Sequence, residues 1–265
     1  MKFPLSVIIL TFNEELNIEN CLKNVAGWAN EIIVVDSFSG DKTLAIAKKY
    51  TDKIVKHTFV NQAEQFNWAL DNIKIKNDWI LRLDADEYLT EELKAEITEK
   101  LENRPDDING YYMKRRVYFM GRFIKHGGYY PKWFLRLFRR EKAHSEEREM
   151  DEHLVLSEGE AGWLKNDFVD DNKKDLSWWT EKHNNYSTRE AKDVIKGNYG
   201  VRKKMFYYKL PPFCRAFCFF VYRYFFLLGF LDGKEGLIFH FLQGFWYRFL
   251  VDAKIHEIRK QKINL

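Results

Sequence analysis

Val7-Ile8-Ile9-Leu10-Thr11-Phe12-Asn13-Glu14-Glu15 sets the reading of the whole chain: four consecutive apolar residues, three of them β-branched, stop abruptly at a polar loop. An apolar run that does not alternate fits a strand buried on both faces, the habit of parallel sheets. Helical spacing follows at once in Leu16, Ile18, Cys21, Leu22 and Val25. Ile32-Ile33-Val34-Val35 repeats the pattern and ends at Asp36-Ser37, after which Ser39 or Asp41 caps a helix running to Tyr50. A weaker strand at Ile54-Val55, a helix from Ala63 to Ile73 and a strand at Trp79-Ile80-Leu81-Arg82-Leu83 come next. Thr90 then caps a helix that runs to Asn103, with Glu91 and Glu92 in its first turn. Repeated strand–loop–helix units predict an α/β fold with a right-handed, mostly parallel sheet flanked by helices.

Beyond residue 110 the pattern changes to α+β. Strands are expected at Gly110–Phe119 and Trp133–Arg140, and a third begins at Val155 near a Gly159–Gly162 turn. A helix is expected from Asp175 to Lys196, and an aromatic tail from about Tyr199. The expected division is residues 1–198 as one domain, in halves 1–110 and 111–198, and 199–265 as C-terminal helices.

The 265 residues carry a net charge of +4, 46% hydrophobic and 31% charged, which excludes a disordered or collagen-like chain. That average hides an asymmetry. Residues 1–110 hold 13 basic and 20 acidic side chains, residues 111–265 hold 30 and 19, and 18 of the 44 aromatics fall between Phe206 and Phe249. Cys21, Cys214 and Cys218 form no disulfide framework or zinc spacing, so a reducing compartment is expected. The N-terminus turns acidic without a small-residue cleavage site, which argues against a signal peptide.

Asp84-Ala85-Asp86-Glu87 carries the most chemistry. Ligands of open α/β sheets sit beyond the carboxyl ends of the strands, and two carboxylates one residue apart suit Mg2+ or Mn2+ and its phosphate ligands. The plainer reading is an acidic loop capping the next helix. Asp36 and Asn13-Glu14 close two other predicted strands. Asp36 either accepts hydrogen bonds from a ribose or base or caps its own turn. Arg136 and Arg140, four apart on a strand, form either a wall for a diphosphate or a solvated polar face. Gly127-Gly128 is a close approach to a sugar or a plain turn. His183 is more simply a helix residue than a ligand.

Three motifs together, Ser6-Val-Ile-Ile-Leu-Thr-Phe-Asn-Glu14, Glu31-Ile-Ile-Val-Val-Asp-Ser-Phe-Ser-Gly-Asp-Lys-Thr43 and Asp84-Ala-Asp-Glu87, resemble the nucleotide-sugar domain of family 2 glycosyltransferases of the GT-A fold. Tyr130–Arg139, Asp151-Glu152-His153, Lys182–Tyr186 and Gly229–Gly233 resemble the branch of inner-core lipopolysaccharide and lipooligosaccharide β-glucosyltransferases. The resemblance implies Thr11, Asn13 and Glu14 beside a uridine, Asp36 on uracil or ribose, and Ser39 nearby. It implies Asp84 on ribose or the metal's shell, and Asp86 on Mn2+ or Mg2+ bridging the donor diphosphate. Gln65 and Asn67 fall near the nucleotide, with Phe66 in a slot that often holds Arg. An inverting transfer needs a carboxylate to take the acceptor proton. Glu152 matches the family's His-Glu position, with Asp151 where His would stand, so either is the base. Glu87 is the runner-up. His153 orients that base, touches phosphate or joins the metal. The implied reaction moves a hexose, glucose foremost, from a UDP-sugar to a lipid-linked saccharide; another polysaccharide or a polyprenyl-linked acceptor is the alternative.

Residues 202–265 carry 12 basic and 4 acidic side chains. Arg215 and Arg223 interrupt Phe213–Leu231, leaving no uncharged run above eight residues, short of the roughly 18 needed to span a bilayer. A basic aromatic helix lying on the inner membrane surface is expected, placing the enzyme peripherally on its cytoplasmic face. Packing on the catalytic domain or in a homo-oligomer is the alternative. A nucleic-acid-binding reading uses the same tail but leaves the acidic strand ends unexplained, so no nucleic-acid partner is expected.

Overall fold

The computed structural model describes residues 2–103, 105–146, 153–197 and 202–263, which form two compact units: 1–118 with 131–173, and 119–130 with 174–265. The first unit opens with β1 (Phe3–Thr11), α1 (Ile18–Ala26), β2 (Ala29–Asp36), α2 (Thr43–Ala47), β3 (Ile54–Lys56), α3 (Gln62–Asn72) and β4 (Trp79–Asp84). Then follow β5 (Glu87–Leu89), α4 (Glu91–Glu102), β6 (Ile108–Phe119), the two-residue β7 (Arg122–Phe123), which falls in the otherwise helical second unit, β8 (Trp133–Arg139), β9 (Ala143–Ser145), β10 (Leu154–Leu156) and β11 (Glu160–Asp170).

One mixed sheet runs β3-β2-β1-β4-β8-β6-β11-β5, while β9 and β10 form a separate hairpin. Strands β1 to β4 are mutually parallel, as the apolar runs predict. Successive residues of β1 and β2 feed opposite cores, both dry, which is why these strands do not alternate. On one face Leu5, Val7, Ile9 and Val34 pack with Ile18, Leu22, Leu93 and Ile97; on the other Ile8, Leu10, Ile33 and Val35 meet Phe66, Ala69, Ala143 and Leu154. The later half is mixed, as the α+β pattern beyond residue 110 suggests: β8 runs antiparallel between β4 and β6, β11 parallel to β6, and β5 antiparallel to β11.

Two local expectations are corrected. The helix after β2 ends at Ala47 rather than Tyr50, giving way to turns at Lys49, Tyr50 and Thr51. Gly162 lies inside β11 rather than in a turn, because the Tyr111 ring sits where a side chain would project: a Cβ there would come within 2.6 Å of it. Thr90 caps α4 as expected, its Oγ1 accepting from Leu93 N.

The second unit is helical: α5 (Leu176–Ile195), α6 (Arg202–Lys209), α7 (Cys214–Val221), a π-helical turn (Tyr222–Phe226), α8 (Gly233–His240), a second π-helical turn (Phe241–Trp246) and α9 (Tyr247–Ile263). The division expected at residue 198 therefore differs from the compact units, which place α5 with the C-terminal helices. Helices α5 and α9 share a core of Ala191, Val194, Tyr247, Val251 and Ile255. Buried charge pairs fasten it. Glu190 accepts from Tyr208 Oη (2.8 Å), Tyr247 Oη (2.5 Å) and Arg248 Nη1 (2.9 Å). Asp252 accepts from Phe213 N and from the Arg215 guanidinium.

Candidate active site

Parallel pairing puts the functional side chains in one row. Thr11 on β1 is level with Asp36 on β2, and Leu10 is level with Asp84 on β4. Strands spaced about 4.8 Å apart place Asp36 and Asp84 at the same end of the sheet, about 10 Å from one another. Asp36 and the Asp84–Asp86 step therefore stand on one sheet edge, the carboxyl ends of β1, β2 and β4, where such sheets bind ligands.

The loops beyond these strands are tied to each other. Asn13 N donates to Ser39 Oγ (2.8 Å), Gly40 N to Asn13 Oδ1 (2.9 Å) and Glu14 N to Thr43 Oγ1 (2.7 Å). Asp36 is fully buried and both its oxygens accept from Ser39, from N at 2.9 Å and from Oγ at 2.5 Å. In this structure Asp36 thus caps its own turn, one of the two roles its position allowed. Asn13 and Phe38 adopt left-handed backbone conformations (φ 52° and 62°). This is uncommon for non-glycine residues and costly for a bulky one such as Phe38. Glu14 accepts from Asn17 Nδ2 (2.6 Å). Thr11 Oγ1 is buried with no hydrogen-bond partner among the described residues, which marks a place for a ligand's polar group.

Gln65 and Asn67 serve the scaffold. Gln65 Nε2 donates to Ser37 Oγ (2.6 Å), and Asn67 clasps β9 by exchanging two hydrogen bonds with the Ser145 backbone. Phe66 is buried under the Arg82 guanidinium, 5.0 Å from its ring, so a basic group reaches that slot from β4 instead of α3.

At the acidic step, β8 brings in a cation. Arg136 Nη2 donates to Glu87 Oε1 (2.6 Å) and Asp84 Oδ2 (3.3 Å), and Asp84 N donates to Glu87 Oε2 (2.9 Å). Burial pushes the Glu87 carboxyl up to about 8, with the Arg136 guanidinium opposing and the neighbouring Asp84 adding to the rise. The carboxylates beside Arg136 hold its guanidinium firmly protonated. Arg140 does not join it: antiparallel β8 carries Arg140 to the far end of β4, on Asp78 and the Ile75 carbonyl. The expected shared wall is therefore corrected to Arg136 alone. Asp86 faces a neutral partner, Asn172 Nδ2 (2.8 Å), while its backbone oxygen accepts from Asp171 N.

These contacts bear on the divalent ion. Among the described residues no three His, Cys, Asp or Glu side chains gather into a cation cage. Mg2+-type ions in phosphate sites take only one or two carboxylates, the substrate's phosphates supplying much of the rest. Asp86, the carboxylate of the pair not committed to arginine, fits that sparse role, with Asp84 beside it. Asp151 and Glu152 lie outside the described residues. His153, exposed on the connecting side of the β9–β10 pair, has its ring 6.3 Å from that of Phe134, and Glu146 N donates to its carbonyl. Sequence reasoning missed Asn172 and the Arg136–Glu87 pairing, both joined to the step across long stretches of chain.

Polar and acidic side chains at the carboxyl ends of adjacent parallel strands are the mark of a ligand-binding open α/β fold. The chain belongs to glycosyltransferase family 2: the family model described as "Glycosyl transferase family 2" matches residues 6–153. It is a glycosyltransferase enzyme with a GT-A-like mixed sheet flanked by helices. It is 29% identical over 276 residues to an uncharacterized glycosyltransferase of Rickettsia bellii, covering 97% of this chain and 87% of that one. It is 28% identical over 272 residues to the lipopolysaccharide core biosynthesis glycosyltransferase LpsC of Rhizobium meliloti, covering 97% and 93%. A crystal structure of glucosyl-3-phosphoglycerate synthase from Mycobacterium tuberculosis, with Mn2+, UDP and glucosyl-3-phosphoglycerate, matches at 21% identity and TM-score 0.35 over 43% of this chain and 44% of that one.

Proposed function

We propose that the enzyme is an inverting hexosyltransferase that moves glucose from UDP-glucose to a lipid-anchored saccharide of the lipopolysaccharide or lipooligosaccharide core, working peripherally on the cytoplasmic face of the inner membrane. The observation that carries this reading is the row Thr11–Asp36–Asp84 with Asp86 just beyond it, on three adjacent parallel strands. The likeness to LpsC supports the acceptor class.

In this mechanism the polar edge of Thr11, Asn13 and Glu14 meets the nucleoside, and Thr11 Oγ1 gains the partner it lacks. Asp86, with Asp84 beside it, would hold Mn2+ or Mg2+, which would supply charge neutralisation at the leaving diphosphate. Arg136 donates to both Asp84 and Glu87, so the step is presented as a fixed surface. Glu152 or Asp151 takes the proton of the acceptor hydroxyl as it attacks the anomeric carbon from the face opposite the departing UDP.

Thermal unfolding with UDP-glucose, UDP-galactose, UDP-N-acetylglucosamine and GDP-mannose, each with and without Mn2+, tests the donor. UDP-glucose with Mn2+ is expected to give the largest upward shift. A shift with GDP-mannose alone overturns the donor assignment. Incorporation of labelled glucose into core-truncated lipopolysaccharide, and not into delipidated oligosaccharide, tests the acceptor.

A further inference from the structure

The two arginines that interrupt Phe213–Leu231 both turn inward. Arg215 is buried, paired with Asp252 and donating through Nη1 to the Tyr208 carbonyl (2.8 Å). Arg223 Nε donates to the Gly127 carbonyl (2.5 Å), and its guanidinium lies 3.8 Å from the Tyr129 ring centroid. Asp232, the sole acidic residue from 202 to 234, is buried as well, accepting from His126 N and bonded to the His126 ring. The charges that break the apolar run in sequence thus leave its outward surface.

What remains outside is apolar and concentrated at a corner. The helical stretches Cys214–Phe226 and Gly229–Gln261 meet at a 72° bend, with Leu228 at the turn in a left-handed conformation (φ 60°). Phe225 (54% exposed), Phe226 (74%), Leu228 (46%), Phe230 (44%) and Leu231 (48%) project there. Gly127 N donates to the Leu227 carbonyl (2.8 Å), bracing the corner from within the same unit. Exposed Lys125 and Lys234 flank Asp232 in the chain and at its backbone contacts. No single described helix is long and apolar enough to cross a bilayer.

The geometry points to a monotopic insertion corner: Phe225, Phe226, Leu228, Phe230 and Leu231 enter the acyl boundary of a phospholipid monolayer while flanking lysines stay among the headgroups. This rests on the membrane-surface reading under Proposed function and deepens it by naming the segment that inserts, about 5–10 Å deep for an amphipathic element. A lipid surface is the occupant because exposed Lys125 and Lys234 stand beside the patch, its own acid Asp232 is buried with only half-buried Glu235 near it, and the chain turns through 72° at the apolar corner instead of continuing as one spanning helix.

The test uses the full chain and sedimentation with phosphatidylcholine vesicles, with and without phosphatidylglycerol. The wild type is expected to bind the zwitterionic vesicles and to stay bound in about 1 M salt, where the screening length is about 3 Å. Phe226→Asp with Phe230→Asp is expected to cut partitioning at least about ten-fold; the milder Phe226→Ser gives a smaller loss in the same direction. In all variants the UDP-glucose thermal shift stays as in the wild type. Binding confined to anionic vesicles and released by salt overturns insertion, as does wild-type partitioning of both Phe variants. So does a dimer, without vesicle binding, that Phe226→Asp converts to monomer. Loss of the UDP-glucose shift with vesicle binding intact counts against the transferase reading alone.

Discussion

The strand-end row and the helical corner both depend on buried arginines paired with carboxylates, and they use them in opposite ways. At the strand ends, Arg136 lies between Asp84 and Glu87 beside the proposed ligand-binding edge, so its guanidinium shapes a charged surface. In the helical unit, Arg215 pairs with Asp252 and Arg248 with Glu190 inside the core, so the pairs remove charge from the surface. Breaking a buried pair leaves an uncompensated charge, but the cost depends on whether the survivor can shed that charge. Glu87, already raised toward neutrality by burial, can take up a proton.

The sharpest separation of the two regions comes from Asp86→Ala. It is expected to lower transfer by about 10²–10³-fold, in line with losing one electrostatic stabiliser of a transition state. Its unfolding midpoint and vesicle binding should be those of the wild type, measured by labelled-sugar transfer, thermal melts and sedimentation. Next in size, Arg215→Ala should cost about 3–5 kcal/mol in urea unfolding. Arg136→Ala should cost less, about 1–2 kcal/mol near neutral pH, because burial already favours the protonated form of Glu87 there. Equal losses would erase the distinction between the two pairs.

A third, smaller effect follows from the sign of the Glu87 shift. Its carboxyl ordinarily titrates near 4.5 and here near 8, so the folded state holds the extra proton between those values. Its contribution to stability is therefore greatest at acidic pH and is lost as pH rises from about 4.5 through about 8. Urea midpoints of Glu87→Gln should show a flatter dependence than wild type over that window. His183 gives the opposite and smallest slope. Burial lowers its imidazole to about 4, against a hydrogen bond to the Trp179 carbonyl. Stability from neutral His183 is complete above about 6.5 and lost as pH falls toward 4. His183→Phe, which keeps a ring stacked on Trp179, should remove that acid-side loss.

Legibility in the sequence followed the range of the contacts. Val7–Leu10, Ile32–Val35 and Trp79–Leu83 announce their strands because each is apolar on both faces, and Thr90 announces α4 because a cap is a local bond. Glu160–Asp170 concealed β11: Gly162, Asn166 and Asp167 all argue against a strand, and its place depends on Tyr111 packing over the glycine and on Asp167 holding Arg116 (2.6 Å). Asp84-Ala85-Asp86 was readable as a site by its composition. That Asp84 belongs to Arg136 and Asp86 to Asn172 was not, since 52 and 86 residues separate the partners. Likewise the sequence shows Arg215 and Arg223 as interruptions of an apolar run, and only tertiary partners reveal which way each points.

The mutual lashing of the 12–15 and 37–43 loops has a thermodynamic consequence. Because Ser39, Asn13 and Thr43 already satisfy one another, little ordering entropy is left for an incoming nucleotide to supply, and its contact energy appears almost entirely as affinity. Amide hydrogens of Asn13, Glu14, Ser39 and Gly40 should accordingly resist exchange in the free enzyme, and gain only modest protection when the donor arrives.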